Sequence, residues 1–237
     1  MNVLGIFVKQ PIPGTVKTRL AVGIGEAAAA NLYSAFVHDI LSQHSRTADC
    51  QTLWFAGADM NAAEEWASTV AGGNFEVQPQ PEGDLGTRIK TFFEFAFDAA
   101  REPDEQPSEN RAILIGSDSP SLPTDYVQQA FKALEQDDIV LGPSNDGGYY
   151  LVGMRRKVWE IFDQINWSSA QVFQQTIRAV QDTNASFSLL PVWYDVDTVD
   201  DARFLWAHEQ AFRSASMQFQ PKTYDALCEL FRDETTN

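Results

Sequence analysis

Apolar runs of strand length alternate with helical stretches along most of this chain, and that alternation constrains the fold more than any other feature. Residues 3–8, "VLGIFV", read as a buried strand, and "TLWFA" (52–56), "FEVQ" (75–78), "RAILIG" (111–116) and "DIVLG" (138–142) follow it. Between them apolar residues recur at helical spacing. Over residues 25–43 these are Ala29, Leu32, Phe36, Ile40 and Leu41; over 85–100 they are Leu85, Ile89, Phe92, Phe93 and Ala96. Further helices are expected near 61–70 and over 124–136. Strands that alternate with helices are joined by crossovers, which make a mostly parallel sheet covered on both sides. The fold class is therefore α/β, a three-layer α/β/α sandwich.

The polar segment 102–110, "EPDEQPSEN", reads as a surface loop, because the alternation resumes directly after it. The rhythm changes beyond residue 142. "PSNDGGYYLVGM" has turn residues and then a strand-like run, which predicts an antiparallel element joining the sheet. In "NWSSAQVFQQTIRAV", Ser168 is the expected helix N-cap, Gln171 its capping-box partner, and Trp167 with Val172 a hydrophobic staple. Two terminal helices are expected near 198–213 and 222–232. A chain of 237 residues, 44% of them hydrophobic, buries a sizeable core, and one domain is the preferred reading.

Charge narrows the function classes. A net charge of −16 argues against nucleic acid and anionic membrane as partners, since either calls for a basic face. A phosphate-bearing ligand must then be held by a few local cations, backbone N–H groups or a metal. Cys50 and Cys228 have no paired spacing for zinc or a redox couple, so both are expected as buried thiols in a reducing compartment. The amino-terminal apolar run is too short for a signal peptide or a membrane span, which suggests a cytoplasmic protein.

Four segments carry candidate chemistry. In "AILIGSDSPSLP" (112–123) Asp118 stands at the end of a strand, where open parallel sheets bind ligands. Asp118 either makes the turn or ligates a metal, and Gly116, Ser117 and Ser119 are small enough to let a nucleotide approach. Mg²⁺ takes only one or two protein carboxylates and completes its octahedron with water and substrate phosphates. In "PIPGTVKTRL" (11–20), Pro13 and Gly14 shape a loop before Lys17 and Arg19; the first glycine of a Walker A loop is missing. The two cations are either a solvated patch or the seat of an anion such as a diphosphate. In "GPSNDGGYYLVG", Asn145, Asp146, Gly147 and Gly148 form a hairpin signal, so any substrate contact by Asp146 comes on top of its turn role. In "WYDVDTVDD", Thr198 and Asp201 suit a helix cap, which needs neither Asp195 nor Asp197. Those two carboxylates face the same way on an extended segment and repel unless a cation or proton lies between them. They are the candidates to complete a site with Asp118. His38, His44 and His208 lack ligand spacing and read as surface or packing residues, and no G-x-S-x-G elbow is present.

"FVKQPIPGTVKTRL", "EGDLGTRI", "ILIGSDSPSLP", "DIVLGPSNDGGYYLVGM", "INWSSAQVFQQT" and "WYDVDTVDD", in that order, closely resemble the DUF2064 family of bacterial GT-A-like glycosyltransferases. The likeness to nucleotidyltransferases is more distant. The resemblance implies a nucleotide-diphospho-sugar transferase fold over 1–237, with a nucleotide-binding half (1–142), an acceptor-side half (143–213) and a C-terminal helix (214–237). It implies nucleotide or phosphate contacts by Pro13, Gly14, Lys17, Arg19, Gly83, Asp84, Leu85 and Ser117. It implies an acceptor side built from Asn145, Asp146, Gly147, Gly148 and Trp167, and Mg²⁺ or Mn²⁺ on Asp118 with Asp195 or Asp197. Pro120 stands where GT-A enzymes usually have the second Asp of Asp-x-Asp, and the glycine-rich loop of molybdenum-cofactor nucleotidyltransferases is missing. The implied activity is transfer of a glycosyl group from a nucleotide-diphosphate sugar to a small-molecule acceptor, with Asp146 as general base and Lys17 neutralising diphosphate charge. A nucleotidyltransferase acting on a nucleoside triphosphate and a phosphorylated small molecule is the alternative, and a nucleotide-binding protein without turnover is a third. Homo-oligomerisation stays open.

Overall fold

A computed structural model describes residues 1–98 and 110–232. Seven strands form one sheet in the order β3-β2-β1-β4-β6-β5-β7. They are β1 (Asn2–Lys9), β2 (Cys50–Ala56), β3 (Glu76–Pro79), β4 (Arg111–Ile115), β5 (Ile139–Pro143), β6 (Tyr149–Arg155) and β7 (Phe187–Leu189). Every neighbouring pair is parallel except those made by β6, which runs antiparallel to both β4 and β5. The antiparallel element expected after residue 142 is therefore β6, joined to β5 through the Asn145–Gly148 turn.

The helices are α1 (Thr18–Ile24), α2 (Glu26–His44), α3 (Met60–Ala71), α4 (Leu85–Asp98), α5 (Thr124–Ala133), α6 (Val172–Gln181), α7 (Val199–Ser214) and α8 (Pro221–Leu230). Strand alternation assigns them to two layers. Leu4, Ile6 and Val8 of β1 face one core with α2, α3, α5, α7 and α8. Val3 of β1 and Trp54 of β2 face the other, filled by Phe92, Phe93 and Phe97 of α4 and by Val180 of α6. Removing side chains of this size from water is the main drive for the sandwich. Among the described residues, no helix is long and apolar enough to cross a membrane.

Several local expectations change. The helix expected to begin at Ser168 begins at Val172; Ser168 adopts φ 64°, and Gln171 makes no side-chain cap. A tertiary partner does that work instead, since the Phe173 N–H donates to the Gly147 carbonyl at 2.8 Å and ties the first turn to the hairpin. Cys50 and Cys228 are half-buried rather than buried, and both are free thiols. Leu85, at the first position of α4, is 44% exposed because it precedes the turn that docks on the sheet. Helix α1 has no counterpart in the sequence reading. The loop expected at 102–110 lies outside the described residues but for Asn110.

Candidate active site

After β1 the chain crosses to β2 and β3 on one side, then returns to β4 on the other. The crevice over the carboxyl ends of β1 and β4 is thus the switch point at which open α/β sheets bind ligands. The loops that follow these two strands carry Lys17 and Asp118.

Lys17 enters the crevice from a left-handed backbone (φ 47°, ψ 44°) immediately before α1. Its neighbour Val16 is buried in the core, which turns the loop inward, and the Lys17 side chain is only 3% exposed. The ammonium contacts Asp118 Oδ1 and lies 3.1 Å from Asp197 Oδ1. The rings of Tyr33 and Phe36 stand 5.9 Å from it. Burial opposes its charge, but Asp118 and Asp197 outweigh burial and raise its pKa. For Asp118, protein crowding likewise opposes ionisation, and Lys17 overcomes it and holds the carboxyl below its ordinary value. The Asp118 side chain is 54% exposed, so it faces the opening. Arg19 is mostly solvated and reaches Asp197 Oδ2 at 3.5 Å.

The extended segment 193–197 runs across the mouth. Its Trp193 N–H donates to Pro143 O, its Trp193 carbonyl accepts from Asn145 N–H, and its Val196 N–H donates to Asp118 O, at 3.1, 3.1 and 2.9 Å. The segment thereby clasps the hairpin to the β4 loop. Asp195 accepts the Ser119 hydroxyl. Burial, then the charges of Asp118 and Asp146, push its pKa up to about 6 against the Ser119 hydrogen bond. Asp118, Asp146 and Asp195 therefore share one electrostatic neighbourhood. Asp197 is set by the capping box of α7, whose Asp201 Oδ2 accepts from Asp197 N–H at 3.0 Å.

The other candidates are distributed around this centre. Asp146 Oδ1 accepts from the Ser144 hydroxyl and, at 2.8 Å, from the Gly148 N–H, so the turn role is real. Gly147 has φ 92°, and a β-carbon there would sit 2.2 Å from Ala170 O. Trp167 packs edge-on to Tyr149 and over Gly86, whose added β-carbon would lie 2.9 Å from the indole, so Trp167 braces the hairpin against α4. Ser117 is buried and bonded to the Tyr33 hydroxyl at 2.7 Å, so it supports the loop from below. Pro13 and Gly14 lie exposed on the β1 loop, and Gly83, Asp84 and Leu85 are exposed at the start of α4. Asp84 Oδ1 accepts the Thr87 N–H and hydroxyl, both at 2.8 Å. Gln80 fixes this segment on the sheet by donating to Val8 O and Trp54 O at 3.0 and 2.9 Å. Arg88 bonds Gly83 O at 3.2 Å, which adds a cation that the sequence reading passed over although "EGDLGTRI" contains it. Tyr33 was missed as well, and Ser119, read only as a small neighbour of Asp118, is the hydrogen-bond partner of Asp195. An open cavity of about 370 Å³, lined in part by Asp84, Thr87, Phe162 and Gln164, lies beside the α4 start rather than over Asp118.

A divalent cation calls for several oxygen donors converging on one point. Among the described residues, no three His, Cys, Asp or Glu side chains are placed together to hold a metal ion. Asp197 is engaged by Lys17 and Arg19. Asp118, open to solvent, and Asp195, raised first by burial and then by the charges of Asp118 and Asp146, are the pair that a cation would relieve. Two carboxylates fit Mg²⁺ or Mn²⁺ when phosphate oxygens supply further ligands.

Residues 41–169 match the family model DUF2064, described as an uncharacterized protein conserved in bacteria. A protein from Desulfovibrio desulfuricans G20, described as a candidate nucleotide-diphospho-sugar transferase, is 34% identical with a TM-score of 0.85, over 98% of this chain and 97% of that one. The 4-diphosphocytidyl-2C-methyl-D-erythritol synthase of Anaerococcus prevotii is 11% identical with a TM-score of 0.54, over 88% and 98%, and shares the fold. Comparison with curated proteins gives no match. The chain thus has a nucleotide-diphospho-sugar transferase-like fold, and the Desulfovibrio neighbour is a candidate transferase by description.

Proposed function

The chain belongs to the DUF2064 family, and from that premise we propose that it is a metal-dependent glycosyltransferase using a nucleotide-diphosphate sugar and a small-molecule acceptor. One observation carries the reading: Lys17, Asp118, Asp195 and Asp197 converge from three loops on the sheet's switch point. The arrangement suits a ligand with a diphosphate. Lys17 and Arg19 meet its charge, Pro13 and Gly14 shape the loop that holds it, and Gly83, Asp84 and Leu85 border the nucleotide.

Asp118 and Asp195 would hold Mg²⁺ or Mn²⁺, and such an ion supplies Lewis-acid neutralisation of the leaving diphosphate. Asp197 serves as counter-ion for Lys17 and Arg19. Asn145, Asp146, Gly147 and Gly148, braced by Trp167, form the acceptor side. In the transfer, the bond from the anomeric carbon to the diphosphate oxygen breaks and the acceptor oxygen bonds to that carbon. Asp146, oriented through Ser144 and Gly148, takes the hydroxyl proton. Residues 1–142 then make the donor half and 143–213 the acceptor half, within one domain. A cytoplasmic location accords with the two free thiols.

A thermal-shift panel of nucleoside diphosphates, triphosphates and nucleotide sugars, with and without Mn²⁺, tests this reading. A ligand of the native state raises stability by mass action. The expected result is a larger shift with a diphosphate sugar and Mn²⁺ than with any triphosphate. A triphosphate preference would turn the assignment to nucleotidyl transfer, and no shift with any nucleotide in Mn²⁺ would refute it.

A further inference from the structure

A lysine side chain is ordinarily solvated, yet that of Lys17 is 3% exposed and extends from a left-handed backbone that non-glycine residues seldom adopt. Two of its three N–H donors are directed at Asp118 and Asp197. Arg19, two residues on, is 71% exposed and only grazes Asp197, so the burial of Lys17 is particular to that residue. This ammonium stands against Asp118, whose side chain is 54% exposed at the crevice mouth.

We propose that Lys17 is an internal counter-ion that holds the position of positive charge at Asp118 in the free protein, so that metal and nucleotide diphosphate enter together. The inference rests on the metal reading above and adds how that site is filled. With Lys17 in place, Asp118 offers a divalent cation a largely neutralised carboxylate beside a like charge. A diphosphate brings new negative charge, against which both Lys17 and a metal ion are satisfied. Metal and nucleotide affinity are therefore coupled, and by linkage each raises the other to the same degree. The device also keeps the crevice carboxylates compensated while no substrate is present.

The test is a titration of nucleotide-free protein with Mn²⁺, following free Mn²⁺ by electron paramagnetic resonance, on wild type, K17Q, K17M and K17R. Circular dichroism melts establish that each is folded, and K17M stands in should K17Q melt early. The charge-free variants are expected to bind Mn²⁺ about tenfold or more tighter than wild type, while K17R, which keeps the cation, stays near wild type. Charge-free variants that bind no tighter, or an arginine variant as tight as the glutamine one, would overturn the inference. A parallel series with UDP, GDP and ADP separates the two levels. If wild type shows Mn²⁺-dependent stabilisation by one of these while K17Q gains no Mn²⁺ affinity, only the counter-ion role fails. If none stabilises wild type in Mn²⁺, the metal reading fails and takes the inference with it.

Discussion

Replacing Glu209 by glutamine should stabilise the protein at neutral and alkaline pH, although the change touches no residue of the crevice. Glu209 is wholly buried on α7. Its Oε2 accepts the Gln220 N–H at 2.6 Å, and its Oε1 has no hydrogen-bond partner. Burial pushes its pKa from 4.5 up to about 7 against the pull of Gln220, and the charge of Asp39 adds to the rise. Between those values the folded chain keeps a proton that the unfolded chain has lost. The contribution of this group is therefore complete below pH 4.5 and is lost as pH rises toward 7. The interval corresponds to roughly 3 kcal/mol at most, or roughly 6–12 °C in Tm for a chain of this size. His44 runs the other way in an overlapping window. It is buried, burial lowers it to about 4 from 6.5, and stability is lost as pH falls through that range. The wild-type curve alone would blend the two, so the readout is the difference between E209Q and wild type. Urea unfolding followed by tryptophan fluorescence at half-unit steps from pH 5 to 8 supplies it. The expected difference grows with pH and levels off above 7. A difference that stays constant across the range would refute the buried-carboxylate argument.

Two further perturbations address the site. Asp118→Asn leaves the Lys17 ammonium with Asp197 alone at 3.1 Å; thermal melts should show a loss of about 1–2 kcal/mol, modest because Asp118 is half solvated, and Mn²⁺-dependent nucleotide shifts should vanish. Gly147→Ala puts a β-carbon 2.2 Å from Ala170 O at φ 92°, and chemical denaturation should show a cost of at least about 2 kcal/mol. Alanine tolerated to within measurement error would mean that the hairpin and the α6 entry are not locked together.

The sheet was legible because each long strand is an apolar run bounded by turn residues. β1, β2, β4 and β5 were found to within two residues at each end, and the N-D-G-G turn announced β6. Helix α1 was not legible. Its entry depends on the left-handed Lys17, and "TVKT" carries β-branched residues that give no helical period. Ser168 misled because a good local cap was available, whereas the Gly147 carbonyl, distant in sequence, satisfies that helix end. In the site, spacing singled out Asp195 and Asp197 but did not foretell that they divide between different partners. Which carboxylate meets Lys17 and which meets Ser119 is fixed by the clasp of Val196 N–H on Asp118 O, a contact that sequence spacing does not encode. Glu209 and His44 were equally hidden, since burial of a charged residue on a helix is decided by what packs over it.

The place of β6 between β4 and β5 has a consequence for biosynthesis and for dissection. Among the described residues, β5 pairs only with β6 and β7, and β4 finds its second neighbour only in β6. A nascent chain halted before Tyr149 thus holds a buried-type apolar strand with a bare edge and another with no partner, which is a template for intermolecular pairing. Fragments ending at residue 142 should accordingly go to inclusion bodies, while circular permutants that keep residues 111–189 contiguous should remain dispersed.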